Sequence, residues 1–313
     1  MDVLWLLILG LLLGGWFVLD GFSLGLGMLL PALGRGTAER RRVITAMAPF
    51  FLANEVWLIA FAGVLIAAFP TVEASLLTGF YPAVVALIVA WLVRDASVWF
   101  RSRRPSSRWR GRWDRVLAAA SAGFAAAAGV FLGNAAQGIP QGNTGQNLLD
   151  PYALLFGATV MAMFALHGAA FVAVRTTGES RERARRIARR LALPVLGLLL
   201  ILVAGLAVAG ADAPLPAFLI GGMGLVATAL GGLALRRGRD GRVFAATAAA
   251  AASLPLMVGA GLAPGLLEGA ADPVTLRRLA VIALPVVPLV LAAQAWLWWV
   301  FRRRVDERSA IFF

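Results

Sequence analysis

The chain has 313 residues, of which 60% are apolar and 14% are charged, and its mean hydropathy is +0.82. These values exclude a water-soluble enzyme and a disordered or fibrous chain, because soluble domains average about 45–50% apolar and about 25% charged residues. The net charge of +13 comes from 29 basic residues, all of them Arg, and 16 acidic ones. With no Cys and a single His, the sequence excludes disulfides, Cys-ligated metals and a haem held between two of its own His residues.

Nine continuous apolar stretches follow one another along the chain, each long enough for a membrane-spanning helix of about 20 residues. They lie roughly at 3–31, 43–69, 76–98, 115–137, 149–174, 191–211, 215–235, 243–263 and 277–301. Apolar runs that do not alternate exclude an outer-membrane barrel. We therefore predict an all-α polytopic membrane protein with nine transmembrane helices. The first residues lack a basic segment and a cleavage site, so no removable signal peptide is expected.

The connections between these stretches alternate between Arg-rich and Arg-free. The first, third, fifth and seventh connections and the tail after the ninth stretch hold 26 of the 29 Arg residues; the exceptions are Arg94, Arg277 and Arg278. By the positive-inside rule, the N-terminus is predicted outside and the C-terminus in the cytoplasm of a bacterial plasma membrane. Charge that alternates with membrane spans is not a nucleic-acid-binding pattern, so no nucleic-acid partner is expected.

A short internal similarity suggests a repeat with an offset of four helices. The first helix carries Leu-Asp-Gly-Phe at 19–22 and the fifth carries Leu-His-Gly-Ala at 166–169, each followed by an Arg-rich connection. An even-numbered unit returns the chain to its original side, so the copies would be parallel repeats. We predict a first four-helix bundle at 1–140, a second at 141–265, and a ninth helix with a cytoplasmic tail at 266–313.

Three acidic residues lie well inside apolar stretches: Asp20, Glu55 and Asp95. A carboxylate near the middle of a bilayer costs at least about 2.5–3.5 kcal/mol, so such a group is usually protonated, paired or facing a cavity. Two hypotheses fit these acids equally well. They form a proton path, or they are buried hydrogen-bonding residues that tie helices together, with Arg94 as a partner.

Two other features favour structural interpretations. His167 lies mid-helix beside Gly168, where a lone His is more often a hydrogen-bonded packing residue than a metal ligand. The basic helical segment 179–190 is predicted to be an interfacial extension that lies on anionic lipid headgroups. No nucleophile–base pair, phosphate loop or metal cluster is recognisable, so no catalytic, cofactor-binding or metal residue is assigned. The residues alone indicate a transporter, a channel or a subunit of a larger complex.

Several segments, in order, resemble subunit II of cytochrome bd quinol oxidase. The similarity runs from residue 15 to the C-terminus and is weakest between about 190 and 270. The segments that carry it are 15–35 (GWFVLDGFSLGLGMLLPALGR), 39–49 (ERRRVITAMAP), 54–70 (NEVWLIAFAGVLIAAFP), 100–117 (FRSRRPSSRWRGRWDRVL), 133–140 (GNAAQGIP), 144–157 (TGQNLLDPYALLFG), 166–186 (LHGAAFVAVRTTGESRERARR) and the ending AQAWLWWVFRRRVDERSAIF.

The resemblance implies a concrete role in respiration. Family members have two four-helix bundles and one further helix, and they partner a subunit I in a heterodimer that oxidises quinol and reduces O2 to water. Haem b, haem d and the quinol site belong to subunit I, so this chain is expected to bind no cofactor and to act mainly structurally. Small accessory membrane subunits and lipid are further candidate partners. Asp20, Asn54, Glu55 and Trp57 match the family pattern and are candidates for proton or O2 access.

The sequence departs from the family at three intramembrane acids associated with proton transfer. Ser23, Leu52 and Trp99 stand where acids are usual, and neither Leu nor Trp can relay a proton. The resemblance therefore supports membership of the complex more strongly than it supports a proton route through this chain. The alternative function is a stand-alone membrane transporter or channel that uses Asp20 and Glu55.

Overall fold

The computed structural model describes residues 1–140, 148–209 and 214–306, and within these ranges the chain is helical. The helices are α1 Asp2–Leu33, α2 Thr37–Met47, α3 Phe51–Ala68, α4 Pro70–Gly79, α5 Tyr81–Arg101, α6 Ser107–Ala135, α7 Pro151–Arg175, α8 Gly178–Ala209, α9 Leu215–Arg236, α10 Asp240–Glu268, α11 Pro273–Ala283 and α12 Val286–Val300. In the ranges described, the only β pairing is an isolated parallel bridge between Thr176 and Val305. The all-α prediction is confirmed.

Nine segments of the described chain are long and apolar enough to cross a membrane. They are α1, α3, α5, α6, α7, α8, α9, α10 and the combined length of α11 and α12. Helices α2 and α4 are short and lie between spans. The predicted number of membrane helices is confirmed in the described residues, and each predicted stretch overlaps its span.

The structure corrects the limits of three predicted stretches. The stretch at 43–69 begins inside α2, a separate helix that carries Glu39 and three Arg residues, so its span starts only at Phe51. The stretch at 76–98 begins inside α4, and its span starts at Tyr81, next to a proline in the first turn of α5. The ninth span is interrupted at Leu284 and Pro285, because a proline is favoured at a helix start and not in its interior.

Some predictions fall partly outside the described residues. These are the boundary between the two predicted bundles at 140 and 141, most of the Arg-free connections at 141–147 and 210–213, and the tail beyond residue 306.

Long-range hydrogen bonds gather the Arg-rich connections at one end of the helices. Arg183 at the start of α8 donates to the Leu33 carbonyl at the end of α1 (3.2 Å), and Arg40 on α2 donates to Asp114 on α6 (3.1 Å). At the other end, the Ala271 amide donates to the Ala68 carbonyl at 2.9 Å. The Arg-rich connections therefore lie at one end of the structure, and the Arg-free connections lie at the opposite end.

Helix α1 lies at the centre and packs against α3, α6, α7 and α10. Its crossing with α7 is a direct backbone contact through two glycines. A Cβ added at Gly25 would lie 1.7 Å from the Phe164 carbonyl oxygen, and one added at Gly168 would lie 2.3 Å from the Leu26 amide nitrogen. Only glycine permits this approach. The crossing joins the two helices that the predicted repeat makes equivalent.

Candidate functional site

A buried guanidinium links two of the predicted site acids. Arg94 on α5 donates from Nη2 to Asp20 Oδ1 and from Nη1 to Glu55 Oε1, both at 2.7 Å. The side chains of Arg94 and Asp20 are 1% and 0% exposed, and that of Glu55 is 8% exposed. Because each charge has a partner at hydrogen-bonding distance, three ionisable groups can be buried together. The cluster ties α1, α3 and α5 to one another, and the predicted pairing with Arg94 is confirmed.

A third carboxylate lies at the edge of this cluster. Asp95 Oδ1 is 3.5 Å from Arg94 Nη1, and the Asp95 side chain is 24% exposed. Exposure thus falls from Asp95 through Glu55 to Asp20, at the inner end. The Trp16 indole donates to the second carboxylate oxygen of Asp20, Oδ2, at 3.3 Å. The Phe51 ring covers Arg94, with its centroid 4.5 Å from the guanidinium carbon. We call Asp20, Glu55, Arg94 and Asp95 the ion cluster.

The ion cluster contains more acid than base. One guanidinium neutralises one carboxylate, so three ionised carboxylates would leave two uncompensated negative charges in a low-dielectric environment. The cluster approaches neutrality only when carboxyl groups hold protons, and neighbouring carboxyl groups titrate as a set. The arrangement therefore has the capacity to hold protons, and that capacity lies beside a fixed positive charge.

Asn54 makes a neutral set of hydrogen bonds next to the cluster. Its Nδ2 donates to the Leu19 carbonyl at 2.6 Å and to Ser23 Oγ at 3.1 Å, and its Oδ1 accepts from Gln294 Nε2 at 3.2 Å. Asn54 is therefore a tie between α1, α3 and α12. Ser23, at a position where the family usually has an acid, is buried and takes part in this neutral bonding.

Trp57 is surrounded by apolar side chains. It lines an apolar cavity of about 240 Å³ between α1, α3, α11 and α12, together with Trp5, Leu12 and Val64 among others. Its ring lies against Gly15, where an added Cβ would be 2.2 Å from a ring carbon. In the described part of the chain, its buried indole N–H has no hydrogen-bond acceptor. Of the four predicted site residues, only Asp20 and Glu55 belong to the ion cluster.

The other two positions of missing family acids lie on the outside of the chain. Leu52 is 57% exposed and Trp99 is 48% exposed. Neither position therefore places a side chain in the buried part of the ion cluster, whereas Asp95 lies at the edge of the cluster.

His167 is a hydrogen-bonded packing residue, as predicted. Its Nε2 lies 2.9 Å from the Val18 carbonyl, which can only accept, and its Nδ1 lies 2.8 Å from Thr247 Oγ1. Its ring stacks on Phe244 with centroids 4.8 Å apart. Both ring nitrogens are engaged, so His167 does not fit as a haem-iron ligand. Among the residues that the structure describes, no three His, Asp or Glu side chains are placed to hold a metal ion.

The basic segment 179–190 is helical, as predicted, and forms the first turns of α8. Three of its Arg side chains pair with acids of the protein, and its contact with lipid headgroups stays a prediction. Arg183 binds Glu39 at 2.5 Å and also pairs with Glu179, while Arg181 and Arg185 share Asp240 at 2.7 and 2.8 Å. The sequence shows the charge of this segment but not the acids that other helices bring to it.

Sequence reasoning named Arg94 only as a partner and left Asp95 out of the site. The signal was present, since Arg94 is an Arg within a span and such a residue requires buried acids nearby. The order of exposure from Asp95 to Asp20 depends on the packing of three helices, which no local pattern records.

Taken together, the fold and the ion cluster define a polytopic membrane protein with a charged tie inside its first four spans. The chain matches the family model for cytochrome bd terminal oxidase subunit II over residues 1–301, and it belongs to that family. It is therefore a subunit of a quinol oxidase complex in the bacterial plasma membrane, as the resemblance indicated.

Individual relatives are similar to the chain to different extents. The cytochrome bd ubiquinol oxidase subunit 2 of Bacillus subtilis is 28% identical over 338 residues, covering 98% of this chain and 97% of that protein. The cytochrome bd-I ubiquinol oxidase subunit 2 of Escherichia coli is 38% identical over 204 residues, covering 62% and 54%. The structure of bd oxidase from Geobacillus thermodenitrificans has the same fold, with a TM-score of 0.79, 16% identity, and coverage of 96% of this chain and 98% of that chain.

Proposed function

We propose that this chain is the non-haem-ligating subunit of a heterodimer in which a subunit I carries haem b and haem d, oxidises quinol and reduces O2. Family membership implies the partner subunit. The further point, that this chain has no catalytic centre of its own, is supported by the engagement of both nitrogens of its only His, His167. Family membership over nearly the whole chain favours this function over a stand-alone transporter or channel.

The main role of the chain in the complex is structural, and the observation that carries this proposal is the pairing of Arg94 with two carboxylates on two other helices. An ion pair at 2.7 Å inside the spans fixes the positions of α1, α3 and α5. Leu52 and Trp99 at family acid positions further weaken a continuous acidic route. The ion cluster is thus a charged tie that maintains the first half of the subunit.

A second candidate role is proton access through the ion cluster. Exposure decreases from Asp95 to Glu55 to Asp20, and the excess of carboxyl groups over guanidinium gives the cluster room for protons. For O2 access, the supporting feature is the apolar cavity beside Trp57, because O2 is apolar and prefers such an environment to water.

Co-purification tests the proposed partnership. An affinity-tagged chain, extracted from its native membrane in mild detergent, is expected to bring down a second membrane polypeptide that carries all the haem and supports quinol-dependent O2 consumption. The same tagged chain expressed without the partner is expected to show no stoichiometric haem absorbance. Haem bound to the isolated chain, or a chain that purifies from its native membrane without any haem-bearing protein, would contradict the proposal.

The proposed topology has the N-terminus outside and the C-terminus in the cytoplasm. A reporter active only in the cytoplasm is expected to work when fused after Phe313 and to be silent when inserted in the connection at 138–148. The opposite pattern would show that the Arg-rich end faces outward.

A further inference from the structure

An open pocket at the Arg-rich end is lined by several Arg side chains, and none of the described residues that line it is acidic. The pocket measures about 500 Å³ and is bordered by Pro31 of α1, Arg40 of α2, and Arg108, Gly111, Arg112 and Arg115 of α6. The four α6 residues are spaced i, i+3, i+4 and i+7, so they lie on one face of the helix. A Cβ added at Gly111 would meet nothing within 4 Å, so the floor of the pocket is open.

The charges of this pocket are poorly compensated by the protein. Arg40 is held by the Gly34 carbonyl and by the buried Asp114, which it shares with Arg101. Within the described residues, Arg115 donates to the Gly111 carbonyl and to no other group. Among the described residues, Arg108 and Arg112 make no hydrogen bond or ion pair. Like charges three and four residues apart on a helix repel, so this face of α6 favours an external anion.

The neighbouring basic cluster on α8 provides an internal comparison. There, a pocket that contains Arg181, Arg183 and Arg186 also contains Glu179 and Glu182. Arg181 and Arg183 of this pocket form ion pairs with acids of the same chain. Both pockets are rich in Arg, but the described lining of the α6 pocket contains no acid.

The residues around the α6 pocket are typical of the membrane–water interface. Trp109 and Trp113, on another face of the same helical turns, form an aromatic group with Phe100, and the Trp109 indole donates to the Phe100 carbonyl at 2.8 Å. Tryptophan side chains with a polar end are typical of the membrane–water interface. One helical turn further into the span, the face that carries the Arg residues continues with the exposed and apolar Ala119.

We propose that this pocket binds the phosphate headgroup of an anionic phospholipid, through Arg108, Arg112 and Arg115 with Arg40 at its side. Guanidinium groups bind phosphate oxygens in a bidentate manner, and each Arg near an anionic surface adds favourable energy. The source of the phosphate is a membrane lipid and not a free anion, because the pocket opens beside residues typical of the membrane–water interface and next to an apolar helix face. The inference is independent of whether the oxidase partnership is correct.

Native mass spectrometry of the full-length protein, in whatever complex it purifies with, measures the binding of phospholipid directly. The probes are dioleoyl-phosphatidylglycerol, dioleoyl-phosphatidylcholine and inorganic phosphate. The variant replaces Arg108, Arg112 and Arg115 by Gln, and the matched control replaces the exposed Arg189, Arg190 and Arg237 by Gln, which removes the same charge elsewhere at this end. The variant should raise the half-saturating concentration of phosphatidylglycerol at least about tenfold, and the control should change it less than about twofold.

Several results would overturn the proposal. The first is an equal loss of phosphatidylglycerol affinity in the variant and in its control. The second is equal binding of phosphatidylcholine and phosphatidylglycerol to the unmodified protein, and the third is displacement of the lipid by millimolar inorganic phosphate. If the triple variant fails to fold, the single Arg112→Gln variant replaces it, with an expected loss of about fivefold. A folded Arg112→Gln protein with unchanged lipid affinity would equally refute the site.

Discussion

The two helices that the predicted repeat makes equivalent, α1 and α7, bury different chemistry at corresponding positions. Asp20 of α1 is ionisable and pairs with Arg94 of α5. His167 of α7 bonds neutral groups, Thr247 and the Val18 carbonyl. Under the predicted repeat, the counterpart of α5 is α9, which carries no charged residue before Arg236 at its end. At these two positions, the ionisable side chain of Asp20 is buried with a counter-charge, whereas the side chain of His167 is buried with neutral hydrogen-bond partners.

The largest expected effect comes from removing the counter-charge. Arg94→Gln leaves Asp20 and Glu55 buried without their partner, and breaking a buried pair in this way typically costs about 3–5 kcal/mol. We expect assembled complex at less than about a tenth of the wild-type amount, measured as haem recovered with the tagged subunit. Combining Arg94→Gln with Asp20→Asn and Glu55→Gln should recover most of the assembly, because the remaining amides need no counter-charge. Failure of the triple variant to recover would show that Arg94 matters for another reason.

The next largest effect is expected from disturbing the close crossing of α1 and α7. Gly25→Ala places a methyl group against the Phe164 carbonyl, and Gly168→Ala places one against the backbone of α1. Each should lower the free energy of unfolding by about 1–3 kcal/mol or more through overpacking. Gly63→Ala in α3 is the control, because an added Cβ there meets nothing within 4 Å and alanine favours helix. Thermal denaturation in detergent measures all three, and a Gly25→Ala protein as stable as the Gly63→Ala protein would refute the close crossing.

Removing the neutral hydrogen bonds of His167 should destabilise the protein less than removing the counter-charge of the ion cluster. His167→Phe keeps an aromatic ring beside Phe244 but leaves the buried Thr247 hydroxyl and the Val18 carbonyl without this partner. We expect a loss of about 1–3 kcal/mol in the free energy of unfolding, with the haem content of the complex unchanged. Loss of haem from the folded His167→Phe complex would contradict the structural role of this residue.

The smallest effect on stability is expected from removing the ion pair between Glu39 and Arg183 at the Arg-rich end, and its dependence on pH provides the test. Hydrogen bonds from Arg183 hold the pKa of Glu39 below its usual value of 4.5. The stabilisation from a depressed carboxyl pKa is present at neutral pH and is lost as the pH falls through the folded-state pKa. Glu39→Gln should therefore lower stability by about 1–2 kcal/mol at pH 7, and the difference from wild type should shrink below pH 4.5.

A matched control for Glu39 is Glu73→Gln in α4, since Glu73 makes no ion pair in the part of the chain that the structure describes. Melting temperatures of both variants at pH 7 and pH 4 give the comparison. If the difference in stability between wild type and Glu39→Gln stays the same at low pH, the contact between Arg183 and Glu39 does not stabilise the protein through the charge of Glu39.

Hydropathy predicts the nine spans well because every span meets the same apolar environment, whatever its neighbours are. It does not mark where a helix ends before the apolar run begins, so α2 was merged with the second span. It also passes over the interruption at Leu284 and Pro285, although the proline there is a visible signal. The ends and interruptions of helices depend on single residues such as proline, and averaging hydropathy over a window hides the effect of one residue.

The candidate site was only partly predictable for a different reason. An isolated acid within a span must have a partner, which made Asp20, Glu55 and Arg94 a natural set. Which nitrogen of Arg94 binds which acid, and the position of Asp95 at the edge, follow from the packing of α1, α3 and α5. The same holds for the α6 pocket, whose Arg residues are evident in the sequence while the lack of nearby acids is not.

The turnover of a Glu55→Gln complex tests most directly whether the ion cluster is mainly a charged tie. The amide keeps nearly the volume of the carboxyl group and can still accept a hydrogen bond from Arg94. Quinol-dependent O2 consumption should remain within about twofold of wild type at equal haem content, because a neutral amide is cheaper to bury than a carboxylate. A loss of about tenfold or more, with haem content unchanged, would contradict the structural role and show that Glu55 carries protons for the reaction.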